Sequence, residues 1–344
     1  MKILKGSPAY FKLIGQWAEK TPTYCMMNLQ TQCRYSCPKC ALDEGCKRVI
    51  GTTLSLSESK RIITLAHQAG AKCLVVIGMG EPTDVRSFPI VRPVIEHAFG
   101  LGMVTILFTT LYGLNKEQAE FYEGHSASLY ISLDSINHDA YRFLTGNGKL
   151  DQILQNINVL RSLFRPVVID GQTVVRLGIN TTVVRQNVGE LEQIRQFAGD
   201  DVHYVANVPM HRGRLDQNGN WDSLVGNDYD LLATAAQVAS ETGSHSSAEG
   251  GICSYFFRGI AVDVDGQMLT CGYAAETAAY LPHCSELHST DDVLAYYRRI
   301  QSTYRQFAES VGRVPSCPLR DEKYPQFAAS FDSSPFKILH NGNS

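Results

Sequence analysis

Three of the chain's ten cysteines lie in one short run, Cys33-Arg34-Tyr35-Ser36-Cys37-Pro38-Lys39-Cys40. Thiolates this close can hold three corners of a cubane iron–sulfur cluster, because soft sulfur ligands suit iron–sulfur centres and zinc. Three ligands rather than four leave one iron open to a small molecule. A structural zinc site is the competing reading, but it wants four closed ligands, and Cys46 is the thiol at hand to complete it. The other cysteines are Cys25, Cys73, Cys253, Cys271, Cys284 and Cys317, with none between Cys73 and Cys253. In the tail, the Asp265-Gly266 hairpin signal turns Cys271 back towards Cys253. Cys73 lies in an apolar run and reads as core, as do cysteines generally.

A second feature is Ile77-Gly78-Met79-Gly80-Glu81-Pro82, at the end of an apolar run. Glycines allow close approach of a backbone, and Glu81 offers a carboxylate to a cation.

These residues need a scaffold. Strand-like runs occur at 24–29, 73–78, 104–109, 129–133, 174–184 and 202–208. Helix-like runs occur at 8–19, 90–99, 116–123, 150–163, 190–197, 229–242 and 290–310. Another opens at the capping box Ser55-Leu56-Ser57-Glu58 and is closed by Gly70. Six strand–helix alternations predict an α/β fold with a parallel sheet and right-handed crossovers. Six units are too few for a closed eight-unit barrel, so a partial (β/α)6 TIM-type barrel is expected, followed by a small α+β domain. The expected divisions are an N-terminal helical segment (1–22), the barrel (23–242) and a tail domain (243–344). The cysteine run then leaves the first strand at its C-terminal end, where α/β barrels place their chemistry.

Hydrophobic residues are 44% of the 344, and the net charge is -3. No basic run asks for a nucleic-acid or membrane partner. No continuous apolar segment reads as a signal peptide or a membrane span. A cytoplasmic location is therefore expected, where clustered cysteines read as metal or redox residues rather than a disulfide framework.

Between residues 22 and 210 the chain resembles the radical S-adenosylmethionine (radical SAM) superfamily, whose signature is a C-x3-C-x2-C loop after the first strand. The resemblance implies a [4Fe-4S] cluster on Cys33, Cys37 and Cys40 that binds S-adenosylmethionine. Residues Gly78, Gly80, Glu81 and Pro82 look like the family's Gly-Glu-Pro motif, in which Glu81 would hold the cofactor's amino group. Ser132-Leu133-Asp134 is similar to the fourth-strand region of the peptide- and sugar-modifying branches. Ser132 would face the cofactor, and Asn180 would reach its ribose. His138 reads as a surface or cap residue. Lys39 departs from the pattern, since the family often has an aromatic residue before the third cysteine.

Cys253, Gly266 and Cys271 resemble the hairpin of SPASM and "twitch" extensions, which implies a second, auxiliary [4Fe-4S] cluster in a twitch-like domain. Cys317 would be a further ligand, although its usual C-x-x-C partner position is Arg320. Cys284 is either the replacement fourth ligand or a free thiol that returns a hydrogen atom to a substrate radical. The implied reaction is hydrogen abstraction by a 5′-deoxyadenosyl radical from a small polar, sugar-like natural product, giving epimerisation or dehydrogenation. A ribosomal peptide is the alternative substrate, and a non-catalytic iron–sulfur or zinc-binding protein the alternative class. A flavodoxin- or ferredoxin-type donor would supply the electron.

Overall fold

Every residue of the segment 24–29 is buried, so both of its faces need a covering layer. The computed structural model describes residues 3–4, 20–29, 31–42, 53–169, 171–241, 258–274, 277, 280–311, 319, 323–324 and 328. Within them, strands and helices alternate: β1 (Tyr24–Leu29), α1 (Leu56–Gln68), β2 (Cys73–Gly78), α2 (Phe88–Gly100), β3 (Val104–Thr109) and α3 (Lys116–Gly124). Next come β4 (Ala127–Ser132), α4 (His138–Thr145), α5 (Leu150–Leu163), β5 (Leu177–Thr182), α6 (Leu191–Ala198), β6 (His203–Asn207) and α7 (Tyr229–Glu241). The last elements are β7 (Gly259–Val262), β8 (Met268–Leu269) and α8 (Thr290–Val311).

Strands β1 to β6 are parallel and lie in chain order. This is the partial barrel expected from six alternations. Their outer faces pack under the helices: Met27 and Leu29 line a cavity of about 360 Å³ with residues of α1 and α2. Side chains alternate along a strand, so Met26 and Asn28 face the lumen and Cys25 faces outward with Met27.

Local chemistry sets the boundaries. Ser55 Oγ accepts from Glu58 N to start α1, and Gly70 follows its end at φ +121°. Helix α2 begins two residues earlier than the apolar periodicity predicts, because Pro89 is tolerated in a first turn. Helix α4 was not among the expected elements. Asn137 caps it by accepting from Asp139 N and Ala140 N, and Gly146 ends it at φ +66°. The run 174–184 is not one strand. Gln172–Val174 belongs to a separate small sheet with Val167–Ile169 and Ile3–Leu4. The break comes at Arg176, whose buried guanidinium donates to the carbonyls of Tyr122, Glu123 and Ala127.

The tail hairpin forms where Asp265-Gly266 predicts it, with Gly266 at φ +94° and Asp263 N bonded to Gln267 O at 2.8 Å. Strand β7 pairs in parallel with β1, and β8 antiparallel with β7, so the hairpin extends the barrel sheet. Gly259 is needed there because a Cβ would stand 2.3 Å from the Tyr24 ring. Helix α8 packs on α1, and Tyr296 donates to Leu269 O at 2.7 Å. The boundary expected at 243 falls between two strands of one sheet. The expected 8–19 helix lies outside the described residues, as do Cys46, Cys253 and Cys317. No helix among the described residues is long and apolar enough to cross a membrane.

Candidate active site

Cys33, Cys37 and Cys40 are partly exposed thiols outside any disulfide, on the loop leaving β1. The loop is held from three sides. Gln32 N donates to Ser87 Oγ at 2.9 Å, and Arg34 pairs with Asp84 at 3.1 Å. From α4, Thr145 O accepts from Ser36 N at 3.0 Å, and the Cys37 thiol points to the same carbonyl at 3.7 Å. Tyr35 and Tyr141 share a hydroxyl hydrogen bond of 3.1 Å. From the segment after β6, Arg214 N donates to Cys40 O at 2.8 Å and its guanidinium donates to Cys37 O at 3.3 Å. Gly213 permits this approach: its φ is +60°, and a Cβ would lie 2.6 Å from Cys40 O. Burial pushes the Cys37 thiol up to about 12, with Lys39 opposing the shift. A metal must therefore displace a firmly held proton there, and the energy of metal binding offsets that cost.

The Gly-Glu-Pro turn abuts this loop. The Glu81 carboxylate is buried and turned inward. One oxygen accepts from Thr83 N at 2.9 Å, Thr83 Oγ1 at 2.7 Å and Thr109 Oγ1. The other accepts from Thr110 N at 2.7 Å and from Thr110 Oγ1. A carboxylate has about four lone-pair sites, and these donors fill them. Glu81 is thus a brace between the ends of β2 and β3. Gly80 is likewise required by the protein itself: a Cβ there would stand 2.4 Å from Thr31 O. Glu81 N donates to Gln32 O at 2.8 Å, so the turn and the cysteine loop are one hydrogen-bonded unit. Gly78 ends β2 opposite Leu29, and Pro82 is buried in the turn beyond it.

Ser132 and Asn180 are direct neighbours across β4 and β5, both partly exposed. Asn207 donates its side-chain amide to Asn180 Oδ1. Below this polar rim, Tyr130 stacks on Phe108 at 5.2 Å and fills the space left by Gly178, where a Cβ would stand 2.6 Å from its ring. His138 begins α4, exposed and paired with Asp151 at 3.3 Å.

Lys39 turns inward to Asp134, with Nζ and Oδ2 2.6 Å apart. Asp134 Oδ1 accepts from Thr182 N at 2.8 Å, and its carbonyl accepts from Asn187 Nδ2 at 2.7 Å. Burial works against the Lys39 charge, but Asp134, Cys37 and Cys40 outweigh it and hold the ammonium above the ordinary lysine range. Sequence reasoning assigned no role to Lys39, Asp134, Arg214, Thr109 or Thr110. The signals in the sequence were the lysine in the cysteine run and the Ser132-Leu133-Asp134 motif.

The tail cysteines divide. Cys271 is buried beside Gly272, where a Cβ would meet the lumen-facing Met26 and Asn28. Asn28 Nδ2 donates to Asp263 Oδ1 at 3.0 Å and to Gly272 O at 3.2 Å. Cys284 is fully buried on the other side of the sheet, where its carbonyl accepts from Arg61 of α1 at 2.7 Å. Burial first, then the charge of Glu58, pushes its thiol up to about 11. Burial, and after it the Cys284 charge, raises the outward-facing Cys25. The Cys284 thiol lies beneath α1, beside the outward-facing Cys25.

A family model described as the Radical SAM superfamily matches residues 27–198. Among curated proteins, the chain is 32% identical over 148 residues to the "Probable GTP 3′,8-cyclase" of Pyrococcus abyssi, covering 43% of this chain and 44% of that protein. It is 27% identical over 231 residues to the "GTP 3′,8-cyclase" of Alkaliphilus oremlandii, covering 66% and 68%. A third, from Tolumonas auensis, is 24% identical, with 39% of each chain covered. The chain thus spans less than half the length of the Pyrococcus and Tolumonas relatives. Among solved structures, a polyhistidine-tagged anSMEcpe with bound AdoMet aligns with a TM-score of 0.58 at 10% identity, covering 90% of this chain and 96% of that one. Streptococcus suis SuiB aligns with a TM-score of 0.55 at 14% identity, covering 82% and 68%. These structural likenesses speak to the fold.

Proposed function

Because the chain belongs to the Radical SAM superfamily, whose members use a [4Fe-4S] cluster and S-adenosylmethionine, we propose that it generates a 5′-deoxyadenosyl radical and directs it at a small polar substrate carrying a sugar. The observation that carries this reading is the cysteine loop itself. Three thiols outside any disulfide stand on one loop braced by Thr145, Arg214 and the Gly80-Glu81 turn, at the C-terminal end of β1. The donor set fits a cluster with one open position. Cys33, Cys37 and Cys40 would hold the cluster, whose chemistry would be one-electron reductive cleavage of S-adenosylmethionine to methionine and the 5′-deoxyadenosyl radical.

The chain's own residues do the rest. Thr145, Arg214 and the Glu81 brace hold the loop against the strand ends. Ser132, Asn180 and Asn207 offer neutral donors and acceptors on one rim, suited to hydroxyls and ring nitrogens. Phe108 and Tyr130 give the lumen an apolar floor that keeps water from a reactive carbon. Cys253, Cys271 and Cys317 are our proposed ligands for an auxiliary cluster in a twitch-like tail, with Cys284, buried beneath α1, left out. That burial also weighs against Cys284 as a hydrogen donor, and so against epimerisation. The names of the sequence relatives favour a nucleotide-like substrate and ring closure, with dehydrogenation second. A flavodoxin- or ferredoxin-type protein is the proposed electron donor.

The test is anaerobic reconstitution with iron and sulfide, then assay of 5′-deoxyadenosine with dithionite. Wild type should produce it, and Cys33→Ala, Cys37→Ala and Cys40→Ala should not. Stimulation by GTP but not by a short peptide supports the nucleotide reading. If the variants produced 5′-deoxyadenosine normally, the site assignment would be wrong. If wild type produced none, the non-catalytic reading would stand.

A further inference from the structure

We infer that Lys39 and Asp134 form a fixed charge pair that sets the reduction potential of the cluster held by Cys33, Cys37 and Cys40; this rests on reading that loop as a cluster site. Lys39 lies between two of the three ligands, yet its side chain is only 11% exposed and that of Asp134 only 2%. Burying an ion pair is expensive and seldom returns its cost as stability, so its use here is positional.

Neither charge is free to move. The Asp134 carboxylate accepts from Thr182 N at the end of β5, and its backbone carbonyl accepts from Asn187 Nδ2. The Lys39 backbone lies in a turn closed by Cys40 N donating to Cys37 O at 3.2 Å, and Arg214 bonds both of those residues' carbonyls. The ammonium is held against Asp134 and largely out of solvent, where water and salt would screen it. The potentials of iron–sulfur clusters follow net charge, hydrogen bonding and solvent exposure. A cation held beside the ligands favours the reduced cluster, which carries one more negative charge. The carboxylate of Asp134 opposes it. Removing either partner should shift the potential, and the two shifts should have opposite signs. A pair that only fastened the loop would give no such opposition.

The experiment uses the full chain, reconstituted anaerobically, with the potential read by titration against the electron paramagnetic resonance signal of the reduced cluster. Lys39→Met should lower the potential and Asp134→Asn should raise it. Each shift should be about ten-fold in the reduction equilibrium, which is 59 mV for a one-electron couple. Lys39→Met/Asp134→Asn should return close to wild type, and Lys39→Arg should stay there. Should Lys39→Met fail to take up a cluster, Asp134→Asn and Lys39→Arg decide by the same signs. Single variants that shift in the same direction, or not at all, overturn the inference while leaving the cluster intact. A wild-type protein with no reducible cluster would remove the reading of the site and this inference with it.

Discussion

At Glu81, donors from Thr83, Thr109 and Thr110 converge on one buried carboxylate. Hydrogen bonds to a charged group contribute about 1.5–3 kcal/mol each, and a buried donor left unpaired costs a comparable amount. Glu81→Gln turns an amide N–H into this crowd of donors. The unfolding free energy of the metal-free protein should fall by about 2–4 kcal/mol in urea titrations, the range of a broken buried network. A residue whose only partner was the cofactor would leave that stability unchanged. At Cys284 the expectation is the reverse. Its alanine variant should keep the wild-type iron content per chain, whereas Cys271→Ala should lower it. An equal loss of iron from both would return Cys284 to the ligand set.

Among the connecting elements, Gly213 and Gly219 provide a matched pair. Their φ angles are +60° and +69°, so alanine meets similar backbone strain at each. Only Gly213 touches the cysteine loop; at Gly219 nothing lies within 4 Å of the missing Cβ. Gly213→Ala should therefore reduce iron incorporation several-fold, while Gly219→Ala should incorporate iron normally and lose only about 1 kcal/mol. Asp84, in the turn between β2 and α2, makes a different prediction. The hydrogen bond from Arg86 holds its carboxyl below the usual aspartate range, with the Arg34 charge adding to the effect. A depressed folded pKa contributes stability that is fully present above the unfolded value of about 3.9 and is lost as pH falls through the lower folded value. The stability gap between wild type and Asp84→Asn, measured by urea unfolding, should be constant from neutral pH down to about 5 and close in acid.

For the whole molecule, the tail hairpin is part of the barrel sheet. β7 covers the edge of β1 through Tyr24 to Met27, and Asn28 reaches across to Asp263 and Gly272. A chain ending at residue 242 would expose β1 as a bare apolar edge, a template for aggregation. Such a truncation should be insoluble or oligomeric by size-exclusion chromatography. A well-folded monomer would mean that the barrel stands without its tail.

The barrel was legible because strand and helix patterns are local: β-branched runs, the Ser55 cap and the Asp265-Gly266 turn each declare themselves within a few residues. The cysteine loop was legible for the same reason, since its ligands are neighbours in sequence. Helix α4 carried signals of the same kind, Asn137 and Gly146 at its two ends, but they were not read. The direction of a side chain is not local. Whether Glu81 faces a ligand or three threonines depends on how the end of β3 meets the turn after β2. Whether Cys284 lines the lumen or lies beneath α1 depends on which face of β1 the tail packs against. Lys39 finds Asp134 only because the loop after β1 and the end of β4 meet at the barrel mouth. Local sequence, as read, carried most of the barrel's elements, their order and the thiol triad, but neither α4 nor the break at Arg176. Tertiary structure decided which charges are paired and which thiols are sealed away, because burial and long-range pairing arise only when strands distant in the chain are brought side by side.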